Sequence, residues 1–244
     1  MAPTLTSASD YLETKILDHV FRGVTYTPPE NVWLALFTSA PSDSGGGTQV
    51  GDRQVVSFAA ASGRSAATEA DVTFTGVIGS VSHVGVFDAQ TGGNLLSWGA
   101  VDEPVDPAGD DLLVSVGGLV VAFADGYMSD FLAAALLDHV LRSESYSPPA
   151  SVVLALLDDA GSEFSGGSYA RETVTFGAAA GGSIANTALT EFTGLAASTW
   201  AAGRAHEDAG SGGRALWEWP VAPKPLSGGS SLRFDPGSVV ATLD

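Results

Sequence analysis

The residues with the most chemical potential are four histidines set among carboxylates. Asp18-His19 returns as Asp138-His139, and an imidazole beside a carboxylate is the pairing from which general bases are built. Adjacent positions on a helix point apart, so neither pair can form a direct dyad. A histidine in the last turn of a helix is instead held there by the helix dipole. Both pairs are therefore expected to be structural. His83 lies in the alternating segment 82–87, and its counterpart later in the chain falls near Ala201, where no histidine stands. His206-Glu207-Asp208 has the side chains of a metal site, but three consecutive residues seldom converge on one ion, so a solvated loop is expected. Asp102, Glu103, Asp106, Asp110 and Asp111 offer oxygen ligands for calcium without the fixed spacing of a calcium loop; they read as a solvated acidic edge. With no cysteine in the chain, disulfides, thiolate metal sites and thiol nucleophiles are excluded. No G-x-S-x-G elbow occurs, and the Gly-Gly-Ser stretches lack the lysine of a phosphate-binding loop. A carboxylate pair for glycoside hydrolysis is defined only in three dimensions, and nothing singles one out. No catalytic, cofactor-binding or metal-ligating residue is assigned, and no cofactor is expected.

Composition excludes further classes. The 244 residues carry 28 acids against 10 Lys and Arg, a formal charge of -18. Such a chain has no electrostatic footprint for nucleic-acid phosphates and is repelled by anionic lipid surfaces. No apolar run reaches the length of a membrane span, and residues 1–10 lack the basic and apolar regions of a secretory leader. Nucleic-acid and membrane partners are not expected. A hydrophobic content of 45 % is enough to build a core.

The elements that would position these residues are written twice. Residues 9–36 and 129–156 align without a gap, and 15 of the 28 positions are identical. Further landmarks keep their order: Arg53 to Phe58 faces Arg171 to Phe176, Phe74-Thr75-Gly76 faces Phe192-Thr193-Gly194, Trp98 is paired with Trp217, and Gly118 to Ala122 faces Gly237 to Ala241. A tandem duplication follows, with one copy in residues 1–126 and the second in 127–244. The linker is so short that the copies are expected to dock on each other.

Each copy opens with an amphipathic helix. Leu12, Ile16 and Val20 recur at four-residue spacing, widened by Leu17 and Phe21, and Leu132, Leu136 and Val140 repeat the stripe. Asp10 with Glu13 reads as a capping box and Gly23 as the C-terminal cap. Short strands between glycine-rich turns follow, at Val32 to Phe37, Gln54 to Phe58, Val72 to Phe74, His83 to Phe87, Leu95 to Trp98, Leu112 to Val116 and Leu119 to Phe123. The fold class is mainly β (α+β): two tandem copies of a small antiparallel β-sandwich, each with an N-terminal amphipathic helix.

The run from Ser9 through Asp18-His19-Val20-Phe21, Tyr26-Thr27-Pro28-Pro29, Leu34 to Thr38, Pro41 and Gly45-Gly46 resembles a family of small virion proteins of tailed phages, usually labelled phage tail fiber or head decoration proteins. Tyr169-Ala170-Arg171, His83-x-Gly85-x-Phe87-Asp88, Gly92-Gly93-Asn94-Leu95-Leu96 and Trp98 fit the same pattern. Between Ala196 and Trp217 the second copy departs from it. The resemblance implies a virion component assembled in the host cytoplasm, with no enzymatic activity.

The leading expectation is a capsid decoration (cement) protein bridging major capsid protein subunits on the outer shell. The alternative is a tail fiber, spike or baseplate component contacting tail proteins, with carbohydrate binding by Trp33, Trp98, Trp200, Trp217 or Trp219. The absence of heptads and fibrous repeats argues against a long shaft. A closed homo-oligomer such as a trimer is expected in either setting.

Overall fold

The computed structural model describes residues 3–43, 46–124, 126–208, 210 and 212–243. In the first copy, β1 (Thr4–Leu5) and β2 (Ser7–Ala8) lead into α1 (Asp10–Arg22), followed by β3 (Val32–Phe37), β4 (Gln49–Val56), β5 (Ser65–Ala67), β6 (Val72–Phe74), β7 (Val81–Phe87), β8 (Leu95–Val105), β9 (Leu112–Val114) and β10 (Val120–Ala122). The second copy runs α2 (Asp130–Arg142), β11 (Val152–Asp158), β12 (Glu172–Val174), β13 (Ser183–Ala185), β14 (Thr190–Leu195), β15 (Ser198–His206), β16 (Ala215–Leu226), β17 (Ser230–Phe234) and β18 (Val240–Thr242). Every strand from β3 to β10 thus has a partner in β11 to β18, in the same order.

Each copy has a main sheet, β2-β8-β7-β3-β4 in the first and β12-β11-β15-β16 in the second. Short pairs of strands distant in sequence form the facing layer: β5 with β10, extended by β1, and β6 with β9, then β13 with β18 and β14 with β17. Pairing is antiparallel except where β1 joins β10 in parallel. Within the first copy's β-region, β5 is the strand that the sequence pattern does not mark, because Ser-Ala-Ala carries little of the β-branched or aromatic bulk typical of a strand.

The helices form where the stripe requires, with one correction to the capping. Ser9, not Asp10, is the N-cap, and its hydroxyl accepts from Leu12 N at 3.2 Å. Ser129 does the same for α2. Gly23 ends α1 in the left-handed conformation, and Ser143 adopts it at the end of α2. Leu12, Ile16, Leu17 and Val20 are buried, as are Leu132, Leu136, Leu137 and Val140. Each such side chain contributes roughly 1.5–3 kcal/mol of burial.

The helices bury that stripe against both copies at once. Helix α1 packs on β8 of its own copy and β13 of the other, and α2 packs on its own β16 and on β5 of the first. Leu137, Val140 and Leu141 of α2 face Leu12, Leu96 and Val121 across one small cavity. Phe21 meets Phe176 and Trp217 of the second copy at 4.8 and 5.9 Å between ring centroids. One hydrophobic core runs through both halves, so the copies interlock rather than hang side by side.

Candidate functional site

Asp18 and His19 stand at the centre of this seam with Asp138 and His139. The two imidazoles stack at 5.2 Å between centroids, 6° from parallel. His19 Nδ1 accepts from Tyr26 N at 3.3 Å, so its Nε2 carries the proton and donates to Tyr146 O at 3.2 Å, and His139 Nε2 lies the same distance from Tyr26 O. Each Nδ1 faces a carbonyl of its own copy, Val24 O at 3.0 Å and Glu144 O at 2.6 Å. Asp18 Oδ1 accepts from Ala179 N at 2.9 Å, and Asp138 Oδ1 from Ala61 N at 2.8 Å. Residue i of one copy touches residue j of the other and j touches i, which is the signature of an isologous, two-fold contact. Tyr26 and Tyr146 pack edge-on against the histidines. Burial raises both phenols, that of Tyr146 to about 12. The Asp-His pairs therefore join one copy to the other through backbone groups and never meet as dyads.

A second pair of matched features organises the loops at the sheet ends. Arg53 NH1 donates to Ala89 O and Gly92 O across the β7–β8 turn, and Arg171 NH1 donates to Asp208 O and Gly210 O across the β15–β16 turn. Arg53 lies over the Phe87 ring at 3.3 Å. In the second copy His206 takes the place of Phe87, since both stand opposite the same position of the neighbouring strand, Trp33 and Val153. Arg171 turns instead to Glu163, with Nε at 2.9 Å and NH2 at 2.8 Å. This two-pronged hydrogen bond holds the Glu163 carboxyl below its ordinary range, and Tyr169 adds a third at 2.8 Å.

His206 corrects the expectation of a solvated loop. It ends β15, is buried, and its Nδ1 sits 2.8 Å from Gly213 O. Its Nε2 is buried with no hydrogen-bonding partner among the described residues. Burial first, with Arg171 and Arg204 acting in the same sense, pushes the imidazole below its ordinary value. The unfolded chain then binds a proton near pH 6.5, while native His206 resists until a lower pH. The stability tied to neutral His206 is complete above about pH 6.5 and is lost as pH falls through the native value. His206→Phe, which installs the residue of the first copy, is expected to lose less stability than wild type between pH 7 and pH 5 in urea melts. Equal losses would refute the assignment.

The remaining sequence candidates separate. His83 is half-buried on the outer sheet face, 6.3 Å from the Trp98 ring, and aligns with Ala202. Asp106 and Asp111 cap turns through Ala108 N and Gly76 N. Among the described residues, no three His, Asp or Glu side chains are grouped to hold a metal ion. The pairing of Trp98 with Trp217 is off by one. Trp98 stands opposite Gly85 and Trp217 opposite Ala205, so Trp217 aligns with Ser97 and the two indoles point to opposite faces. Trp98 is half-buried on the outside and donates to Asp43 Oδ1 at 3.0 Å, whereas Trp217 is buried in the seam. Trp33 and Trp98 both pack against the cluster of Ala35, Phe37, Phe87 and Leu95 on that outer face, while Trp200 and Trp219 flank the opening between the layers of the second copy.

A cleft beside Tyr11 was not anticipated. About 520 Å³ opens between Asp10 and Tyr11 at the start of α1, Asp43, Arg53, and Asn94 just before β8. The signal was an exchange between the copies, Asn94 for Arg214. It was hidden because the loops differ in length by one residue: Asp88 to Asn94 in one, Glu207 to Arg214 in the other.

Two interlocked helix-plus-sandwich modules, joined across a seam by Asp18, His19, Asp138 and His139, make this a duplicated-module protein. The family of podophage GP4 fiber I protein gp80 matches residues 7–122 and again 127–242. The chain belongs to that family and carries its unit twice, which makes it a tailed-phage fiber-type virion component. No curated protein matches the chain.

Proposed function

We propose that this protein is a non-enzymatic structural part of the tail-fiber apparatus of a tailed bacteriophage. It acts as a rigid two-module block that joins tail proteins by surface burial. The observation that carries the reading is the match of both modules, end to end, to a podophage fiber protein family. The isologous seam supports it: the helices are used up inside the block, leaving outer sheet faces and turns for contacts with neighbours. Each copy is acidic, so basic surfaces on the tail are the complementary partners. Closure into a homotrimer would display six modules.

Capsid decoration is the second reading, favoured by shape. Neither helix exceeds 13 residues, so the block is no shaft, and a compact block also suits a bridge between major capsid protein subunits. Quantitative mass spectrometry of purified virions separates the two. A few to a few dozen copies per particle are expected for the fiber apparatus, and a number of the order of the coat protein's would transfer the protein to the capsid.

A further inference from the structure

The two copies treat the same corner of the module differently. In the second copy Arg214 follows the β15–β16 turn and makes a two-pronged hydrogen bond to Glu207, Nε at 2.6 Å and NH2 at 2.9 Å. Its guanidinium lies over the ring of Phe131, 3.9 Å from the centroid. Phe131 is the second residue of α2, as Tyr11 is of α1. In the first copy the carboxylate is Asp88 and its partner is Asn94, which binds it through N at 2.6 Å and Nδ2 at 2.7 Å. The asparagine satisfies the carboxylate as the arginine does, but it is too short to reach the aromatic ring. Tyr11 therefore borders an open cleft of about 520 Å³ where Phe131 lies under a guanidinium.

We infer that the cleft of the first copy receives an arginine side chain from a partner protein, stacked on Tyr11 where Arg214 stacks on Phe131. The second copy shows which group this corner of the module accepts. Charge agrees with it: Asp10 and Asp43 line the cleft, and Asp88 acts on the Tyr11 hydroxyl from nearby. Of the cations already present, Lys15 lies over this ring, close to the ~6 Å limit of such a contact, where a more closely stacked guanidinium can displace it. Lys15 is exposed and its ammonium stays 5.6 Å from the Tyr11 centroid, while Arg53 is held by Gln49 Oε1, Ala89 O and Gly92 O. A planar guanidinium suits a stack on an aromatic face flanked by carboxylates better than an ammonium does. A basic segment of a neighbouring virion protein would thereby be held by the first module and not by the second. The inference rests on the comparison of the two copies and stands whether the protein sits on tail or capsid.

The test uses the full chain and the blocked tripeptide acetyl-Gly-Arg-Gly-amide, with the citrulline and lysine peptides as controls, followed by NMR. The arginine peptide is expected to shift resonances of Tyr11 and Asn94 saturably, and to bind roughly tenfold more tightly than the neutral citrulline peptide. The double variant Asp88→Glu/Asn94→Arg transplants the pair from the second copy; it should fold, fill the cleft from within and lose the response. Tyr11→Leu keeps the burial without a π face and should weaken binding to the level of the citrulline control. Equal binding of arginine and citrulline peptides, an unchanged response in the double variant, or no response at Tyr11 would each overturn the assignment.

Discussion

Residues 1–126 produced alone are expected to elute at twice their own mass. The surface they would expose is the seam, and its contacts are self-complementary. His19 reaches the carbonyl of Tyr146, whose counterpart is Tyr26. Asp18 reaches the amide of Ala179, whose counterpart is Ala61. A second copy of the first module offers the same backbone groups in the same places, with Phe58 for Phe176 but Ser97 for Trp217, so it can substitute for the second half of the chain with a less completely filled seam. A lone module would leave Phe21 without Phe176 and Trp217, and several aliphatic side chains at roughly 1.5–3 kcal/mol each would face water. Co-expressed halves should purify as a one-to-one complex without a peptide link. Size-exclusion chromatography with light scattering decides the matter, and a stable folded monomer of residues 1–126 would contradict the interlocked core.

Trp217→Ala is expected to be the most damaging single substitution tested, lowering stability by about 3–5 kcal/mol and the midpoint of thermal unfolding by ~10 °C or more. Trp217 is 3 % exposed and joins the core that both copies share. Trp98→Ala should cost under about 2 kcal/mol, because that indole is half-buried on an outer face and loses one hydrogen bond, to Asp43. The contrast is the point of the pair. A sequence alignment equates the two tryptophans, while the strand register sets them one residue apart. Equal losses would restore the alignment and refute the register.

That shift by one illustrates what the sequence could carry. The duplication, the two helices and most of the strands were legible because they rest on local periodicity and on a gapless match over 28 residues. The slip at Trp217 was not, since a single extra residue in a loop moves every later side chain to the other face of a strand. His206 was misplaced for a related reason: it follows an alternating strand and precedes Glu207 and Asp208, and only pairing with β11 shows that the strand runs on through it. The structural role of His19 and His139 was inferred from helix geometry, yet their stacking on each other is a contact across 120 positions that no window contains. The exchange of Asn94 for Arg214 was present in the text throughout. Its meaning depends on a ring in the preceding helix, and only the fold brings the two together.

The proposed role is that of a virion structural protein whose paired modules form a single block in the fiber apparatus. Cryo-electron microscopy of intact particles labelled with a Fab against the native block tests it most directly. Labelled density on the tail or its fibers, with one block per chain, is the result the account predicts. Density spread over the capsid lattice, or particles that bind no Fab at all, would contradict it.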